Sequence, residues 1–188
     1  MVFPELLLAS SSPRRRELLR EHGFAFTFQP PDIEEIVPDY LTIGETVLLN
    51  AKRKAVSVAD VSPAGCIIVG VDTLVCCEGK NLGKPANRKE AFEMLKYLSG
   101  RSHEVVTGVW LLSPPARHHG FIEKSLVTIR KISSDEIRQY HEIVEPLDKA
   151  GAYAAQEDPF GLIESIEGSR SNVIGLPIER FREVLLEF

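Results

Sequence analysis

Three serines and three arginines, in the sequence SSSPRRR, follow the first apolar segment of the chain. Ser12 and Pro13 are typical of the N-cap and first position of a helix. Cations are disfavoured in the first helical turn because the helix dipole is positive there, yet Arg14 and Arg15 occupy it. With the serine hydroxyls and the backbone N–H groups of a helix start, the two guanidinium groups would form a phosphate-binding site. A solvated basic helix start is the alternative.

Asp72 comes directly after a continuous apolar run, Cys66–Val71, which is typical of a buried central strand. Ligands of open α/β sheets bind beyond the carboxyl ends of the strands. A carboxylate at that place can hold Mg²⁺ or accept a proton from water. The alternative is a turn-forming aspartate that hydrogen-bonds the backbone of Thr73.

Two lysines are further candidates for binding phosphate as point charges. Lys84 lies between Gly83 and Pro85, which would hold it at a fixed place on a loop. Lys54 falls at the edge of the apolar stripe of a predicted helix. Taken one at a time, an exposed turn lysine and a snorkelling lysine are the more ordinary interpretations of these two positions.

Two loop segments complete the set of candidates. Glu34 and Glu35 are paired carboxylates that could hold a metal, although acidic loops are usually only solvated. Asp148 and Lys149 place an acid and a cation ahead of the small residues 150–152, which permit close backbone approach. Taken alone, this second loop is only suggestive.

Strand-like and helix-like segments alternate along the chain, which predicts an α/β fold that positions these residues. Capping-box patterns predict helix starts at Thr42/Glu45, Asn87/Glu90 and Ser133/Glu136. The predicted strands are 6–9, 66–71, 104–112, 121–132 and 160–166, with an exposed connection over 113–120. The predicted helices are 13–23, 43–58, 87–100, 133–143 and 177–187.

The 188 residues fit one domain, 1–188, better than two. A net charge of −5 argues against broad nucleic-acid binding, which usually needs a basic surface. The apolar runs are shorter than the ~18 residues of a membrane helix, and Met1–Ser10 does not resemble a signal peptide. Cys66, Cys76 and Cys77 lack the spacing of a metal site or disulfide framework, so we expect a reducing, cytoplasmic location.

Seven segments carry a resemblance to a known family. They are LASSSPRRRELL at 8–19, AKRKA at 51–55, GVDT at 70–73, GKP at 83–85, LSGRSH at 98–103, DKAGAY at 148–153 and GLP at 175–177. In order and spacing they resemble the Maf family of nucleoside triphosphate pyrophosphatases. One such motif would be weak evidence, but seven in order across nearly the whole chain are highly specific.

The resemblance implies an α/β fold with a mixed central sheet flanked by helices and two lobes around a nucleotide cleft, often in a homodimer. It implies hydrolysis of a nucleoside triphosphate to a monophosphate and pyrophosphate with a divalent cation, Mg²⁺ or Mn²⁺. It implies that Asp72 is the proton acceptor or a metal ligand and that Glu35 is a metal or water ligand. It further implies that the phosphates are bound by Arg14, Arg15, Lys54 and Lys84, with Ser10 in support. Asp148 and Lys149 would complete the cleft.

Base choice depends on two further positions. Family members that act on dTTP and UTP tend to carry Asp-Thr after the central strand and a Gln after the Ala-Gly-Ala-Tyr loop. In this chain these are Asp72-Thr73 and Gln156. The usual Gly-Ile-Gln-Gly reads AAQE at 154–157, and ESIEGSRSN at 164–172 is closer to the subgroup that acts on methylated GTP. A pyrophosphatase for methylated GTP is therefore an alternative. A regulator of cell division that binds nucleotide without turnover is a second alternative.

Overall fold

The computed structural model describes residues 5–188. Its strands are β1 (Leu6–Ala9), β2 (Phe26–Phe28), β3 (Ile67–Cys77), β4 (Lys80–Leu82), β5 (Ser102–Ser113), β6 (Arg117–Ile129) and β7 (Ile163–Glu167). Its α-helices are α1 (Pro13–Glu21), α2 (Ile43–Ser57), α3 (Arg88–Leu98), α4 (Ser134–Ile143), α5 (Arg170–Ile174) and α6 (Ile178–Glu187). Short 3-10 helices span Ala59–Val61 and Ala150–Ala152. In this part of the chain, no helix is both long enough and apolar enough to cross a membrane.

The strands form one mixed sheet in the order β2-β1-β3-β5-β6-β7, with β4 paired to β3. Strand β1 runs parallel to β2 and β3, whereas β4 is antiparallel to β3 and β7 is antiparallel to β6. Parallel neighbours need a crossover connection, and α1 and α2 lie in the two connections that join β1, β2 and β3 in the chain. The predicted α/β fold with a mixed sheet and helices is confirmed.

The chain divides into two compact units. The first unit comprises the residues up to 73, residues 107–123 and residues 175–188. The second unit comprises residues 74–106 and 124–174. Strands β3, β5 and β6 each contribute residues to both units. The single domain that chain length favours stays a prediction.

Helix α2 lies directly on the sheet of the first unit because two strands present glycines to it. A Cβ atom added at Gly70 on β3 would come within 1.9 Å of Ala51 O, and one at Gly108 on β5 within 2.6 Å of Val47 C. Both distances are far shorter than any real contact, so a side chain at either position would push the helix away. Backbone therefore packs on backbone here, which brings the side chains of α2 close to β3.

Helix starts are mostly predicted correctly because capping is a local interaction. Two of the three predicted capping boxes form completely, at the starts of α2 and α4. At α3, Asn87 accepts the N–H of Glu90 at 3.0 Å, but the Glu90 carboxylate accepts the N–H of Ala86 instead of completing the box. Ser12 takes the predicted N-cap position of α1; within residues 5–188 its side chain makes no capping bond, while its N–H donates to Ser10 Oγ at 3.2 Å.

Several predicted strand boundaries are wrong. Strand β3 continues to Cys77 instead of stopping at Val71, because β4 pairs with its last three residues. Strand β6 begins at Arg117, inside the segment predicted as a connection, and ends at Ile129. Strand β7 covers 163–167 rather than 160–166. The sequence pattern also misses β2, β4 and α5, since three to five residues carry too little periodicity to be recognised.

The core of the second unit is formed largely by α3, α4 and the strand residues beneath them. Its fully buried side chains include Leu95, Leu98, Val105, Val127, Ile137 and Tyr140. A loop after α4 leads into Ala150–Ala152, where Gly151 and Ala152 take the left-handed conformation with φ of 73° and 62°. The N–H of Gly151 donates to Gly83 O at 3.2 Å, which joins this loop to the loop that carries Lys84.

Candidate active site

A buried lysine joins two carboxylates in the first unit. Lys54 Nζ lies 2.6 Å from Asp72 Oδ1 and 2.6 Å from Glu35 Oε1. Lys54 is 5% exposed and Asp72 is 2% exposed, so both charges are largely removed from water and compensate each other. The interpretation from helix position alone, a snorkelling lysine with its ammonium in solvent, is therefore wrong.

Asp72 lies within β3 rather than at its end, so the predicted strand end is wrong. The parallel pairing of β3 with β1 nonetheless stops where Ala9 lies opposite Gly70. Asp72 is thus two residues beyond the carboxyl end of the neighbouring parallel strand. That is the place where ligands of α/β sheets bind, so Asp72 lies at a ligand-binding edge although β3 itself continues.

Asn50 is a residue of this cluster that sequence reasoning missed. Its Nδ2 donates to Asp72 Oδ2 at 3.1 Å and to Ile36 O at 2.9 Å, and its Oδ1 accepts the N–H of Ile36 at 3.1 Å. Asn50 therefore ties Asp72 to the segment that carries Glu35. A signal was present: Asn50 precedes Lys54 by four residues, which places both side chains on one face of α2.

Arg15 connects three segments of the first unit. Its Nε donates to Gly175 O at 2.9 Å, its Nη1 to Ser10 Oγ and Val71 O at 3.1 Å each, and its Nη2 to Thr73 Oγ1 at 3.1 Å. These bonds use four of the five N–H donors of an arginine. Arg15 thus links the residues that follow β1, the middle of β3 and the segment before α6. Its role as a phosphate ligand stays a prediction.

The negative charges that act on Arg15 are the two carboxylates bound to Lys54. Burial lowers the pKa of Arg15 below its ordinary value, and the carboxylates of Asp72 and Glu35 oppose that shift. The Thr73 hydroxyl lies 2.9 Å from Thr107 Oγ1 as well as 3.1 Å from Arg15 Nη2. Arg15 and Lys54 also both donate to Val71 O, at 3.1 and 3.3 Å, so the two cations and the carboxylates of Asp72 and Glu35 belong to one network.

We expect Arg15→Lys to lower the free energy of unfolding by about 2 to 4 kcal/mol, at roughly 1 kcal/mol per lost hydrogen bond. A lysine keeps the positive charge but cannot reach four acceptors in different directions. Urea unfolding measures the loss. The matched control is Arg16→Lys, because Arg16 stacks over the Phe28 ring at 4.4 Å and the replacement keeps a cation there. A loss no larger than that of the control would contradict the connecting role of Arg15.

Four predicted site residues lie in the second unit. Lys84 and Asp148 are exposed, and Gln156 is half-buried. Lys149 is buried and donates to Glu145 O at 2.7 Å and to Asp148 Oδ1 at 2.8 Å. The ammonium group of Lys149 therefore helps to hold its own loop.

The sequence model of the Maf-like protein family matches residues 5–188. The chain belongs to the Maf family. This Maf chain is 44% identical over 185 residues to the dTTP/UTP pyrophosphatase of Moorella thermoacetica, covering 98% of this chain and 95% of that one. It is 40% identical over 185 residues to the dTTP/UTP pyrophosphatase of Pelotomaculum thermopropionicum, covering 98% and 96%.

Two solved structures resemble the Maf chain in fold. The Ham1 protein of Staphylococcus aureus has a TM-score of 0.51 and 17% identity, covering 97% of this chain and 98% of that one. A HAM1 protein from Coxiella burnetii has a TM-score of 0.50 and 18% identity and covers the whole of both chains. At these identities the likeness shows a shared α/β fold and nothing more.

Asp72 and Glu35 offer oxygen donors of the kind that a hard divalent cation prefers. Within residues 5–188, no three or more His, Cys, Asp or Glu side chains are grouped so as to hold a metal. Asp72 and Glu35 both direct an oxygen at one point, the Lys54 ammonium. Mg²⁺ in phosphate-handling sites usually takes one or two carboxylates and completes its shell with phosphate and water oxygens. The pair Asp72 and Glu35 fits that requirement.

Two hydrogen bonds orient the carboxylate of Asp72 firmly. Asp72 receives Lys54 on Oδ1 and Asn50 on Oδ2, so its plane is fixed from both sides. An oxygen with one donor still has a second lone pair, with which it can accept a proton or bind a cation. The arrangement therefore supports either general-base or metal-ligand chemistry at Asp72.

Proposed function

We propose that this Maf protein hydrolyses nucleoside triphosphates between the α and β phosphates, releasing a nucleoside monophosphate and pyrophosphate. One observation carries the proposal: Asp72, in the GVDT motif, is a buried carboxylate oriented by Lys54 and Asn50. The names of the relatives at 40 to 44% identity support the same activity. In the proposed reaction Asp72 accepts a proton from the attacking water, or helps to hold the cation that activates it.

Charge neutralisation is the main demand of this chemistry, because a triphosphate carries nearly four negative charges. Phosphoryl and nucleotidyl transfer depend chiefly on positioning and electrostatic stabilisation. In the first unit, Arg14, Arg15 and Lys54 are the proposed phosphate ligands, with the Ser10 hydroxyl in support. In the second unit, Lys84 is the proposed ligand, and an exposed lysine on a loop is suited to that role.

A divalent cation, Mg²⁺ or Mn²⁺, is part of the proposal. Asp72 and Glu35 would hold it, and when bound it would neutralise phosphate charge and acidify a water molecule. The residues of the chain supply the rest: Asn50 keeps the Glu35 segment beside Asp72, and Lys54 holds both carboxylates at 2.6 Å.

We propose Gln156 as the residue that reads the base, with dTTP and UTP preferred. Thymine and uracil present acceptor, donor and acceptor groups along one edge, and a glutamine amide matches an adjacent pair of them. Gln156 is half-buried whereas Glu157 is exposed, which supports Gln156 as the contact rather than its neighbour. The Thr73 hydroxyl is already bonded to Arg15 and Thr107, so a contact from Thr73 to the nucleotide would have to share it.

Pyrophosphate release with Mg²⁺ or Mn²⁺ tests the proposal across dTTP, UTP, CTP, GTP and 7-methyl-GTP. We expect dTTP and UTP to give the highest kcat/KM. Gln156→Glu should lower kcat/KM for both by about tenfold or more, because a carboxylate cannot donate to the base edge. The matched control is Glu157→Gln, which changes the adjacent exposed side chain and should leave the ranking unchanged. Binding of every nucleotide without pyrophosphate release would instead favour a regulatory role.

A preference for methylated GTP is the second candidate, because residues 164–172 resemble that subgroup in sequence. A wild-type ranking led by 7-methyl-GTP in the same assay would establish it. A cytoplasmic location and a homodimer also belong to the proposal, and sedimentation of the purified protein tests the second.

A further inference from the structure

Helix α4 holds the loop that follows it through two consecutive side chains. Tyr140 Oη accepts the N–H of Ala154 at 2.9 Å and donates to Glu157 O at 3.2 Å. His141 Nε2 lies 2.9 Å from Ala152 O, and since a carbonyl oxygen only accepts, this nitrogen is the donor. The loop is therefore attached to α4 at three backbone positions.

A fourth attachment comes from the start of α5. Arg170 Nη2 donates to Ala155 O at 2.7 Å. Side-chain bonds thus reach the backbone of Ala154, Ala155 and Glu157, the residues on both sides of Gln156. Gln156, which is half-buried, therefore lies in a stretch of backbone that is held before and after it.

Tyr140 is the least exposed of the three side chains that hold this loop. It is 1% exposed, and its ring packs edge-to-face with Phe160 at a centroid distance of 6.5 Å. Burial raises the pKa of Tyr140, so the hydroxyl stays protonated and remains a donor to Glu157 O. Ala154 is 5% exposed, so its N–H would lack water as a substitute if the hydroxyl were removed.

We propose that Tyr140 is a positioning residue for base selectivity, which acts by fixing the backbone around Gln156. The inference rests on the proposed function, because it takes Gln156 as the residue that reads the base. Tyr140 lies in the core of the second unit and acts only through this backbone. Its loss should therefore change the discrimination among nucleotides more than the rate of bond cleavage.

The test is Tyr140→Phe, which keeps the ring and removes only the hydroxyl. The readout is the ratio of kcat/KM between the best and the poorest of dTTP, UTP, CTP and GTP. We expect this ratio to fall by about tenfold, mainly through a higher KM for the preferred nucleotide, which corresponds to about 1.4 kcal/mol. The matched control is Tyr97→Phe, since Tyr97 Oη bonds Glu78 Oε2 and Cys77 O in the same unit. The control should keep the wild-type ratio.

A second variant protects the test against a folding defect in Tyr140→Phe. Arg170 is exposed, so Arg170→Ala removes the bond to Ala155 O without opening the core, and we expect it to lower the ratio in the same direction. An unchanged ratio in both variants would overturn the inference. The ranking of nucleotides by the wild-type protein tests the proposed base choice separately. A preference for guanine nucleotides would contradict that base choice. The kcat/KM ratios of the variants would still show whether Tyr140 affects discrimination among nucleotides.

Discussion

Asp72→Asn is expected to lower kcat by at least about a thousandfold, or roughly 4 kcal/mol of activation free energy, while the protein stays folded. The carboxamide has one oxygen where the carboxylate has two, so it cannot accept a proton and is a poorer ligand for a hard cation. Lys54 and Asn50 both donate to Asp72, and one of them would then face an amide N–H₂. Single-turnover assays at saturating Mg²⁺ or Mn²⁺ measure the effect.

The control for Asp72→Asn is Asp60→Asn, which removes an exposed carboxylate from the first unit at the short helix Ala59–Val61. It should retain wild-type kcat. Circular dichroism and urea unfolding establish that both variants are folded before the rates are compared. A kcat of Asp72→Asn within about threefold of wild type at saturating metal corresponds to less than about 1.4 kcal/mol of activation free energy. That result would show that Asp72 is neither the proton acceptor nor a required cation ligand.

Lys54→Met is expected to lose both stability and turnover. It leaves Asp72 buried with a second carboxylate, Glu35, directed at the place the ammonium had occupied. Breaking a fully buried ion pair costs about 3 to 5 kcal/mol, and we expect roughly 2 to 4 here because the Glu35 side chain is 40% exposed and partly hydrated. Urea unfolding at neutral pH measures the loss, and pyrophosphate release measures the turnover.

A double-mutant cycle separates the two effects of Lys54. Combining Lys54→Met with Asp72→Asn removes both charges, so the stability lost in Lys54→Met should be largely recovered while activity stays absent. Lys52→Met on the same helix is the control, because Lys52 is exposed and its ammonium lies 5.2 Å from the centre of the Trp110 ring. Additive losses of stability in the double mutant would show that Lys54 and Asp72 do not depend on each other.

The features that could be predicted from the sequence are those determined by near neighbours in the chain. The capping boxes of α2 and α4 are correct because each is complete within four residues. The position of Asp72 relative to strand ends could not be derived, because the length of β3 depends on its pairing with β4. The burial of Lys54 differs from the prediction for a related reason. The helical period places Lys54 at the rim of an apolar stripe, but it does not show which carboxylate lies across from that rim.

The connecting residues of the site were the hardest to predict. The helix start predicts Arg15 as a phosphate ligand, but its bonds to Val71 and Gly175 join positions that are far apart in the sequence. Asn50 has only its spacing from Lys54 as a signal, because a single asparagine in a helix carries no motif. Its four-residue spacing from Lys54 indicates a shared site only when both side chains are seen to donate to Asp72.

The close packing of α2 on Gly70 and Gly108 has a consequence for how such a site can diversify. One rigid helix carries both donors to Asp72, so a larger residue under the helix would displace Asn50 and Lys54 together. Substitutions at Gly70 and Gly108 therefore cannot change the position of Asn50 and Lys54 around the Asp72 carboxylate in small steps. A substitution in the loop 148–157, which carries the proposed base contact Gln156, leaves the spacing between α2 and the sheet unchanged.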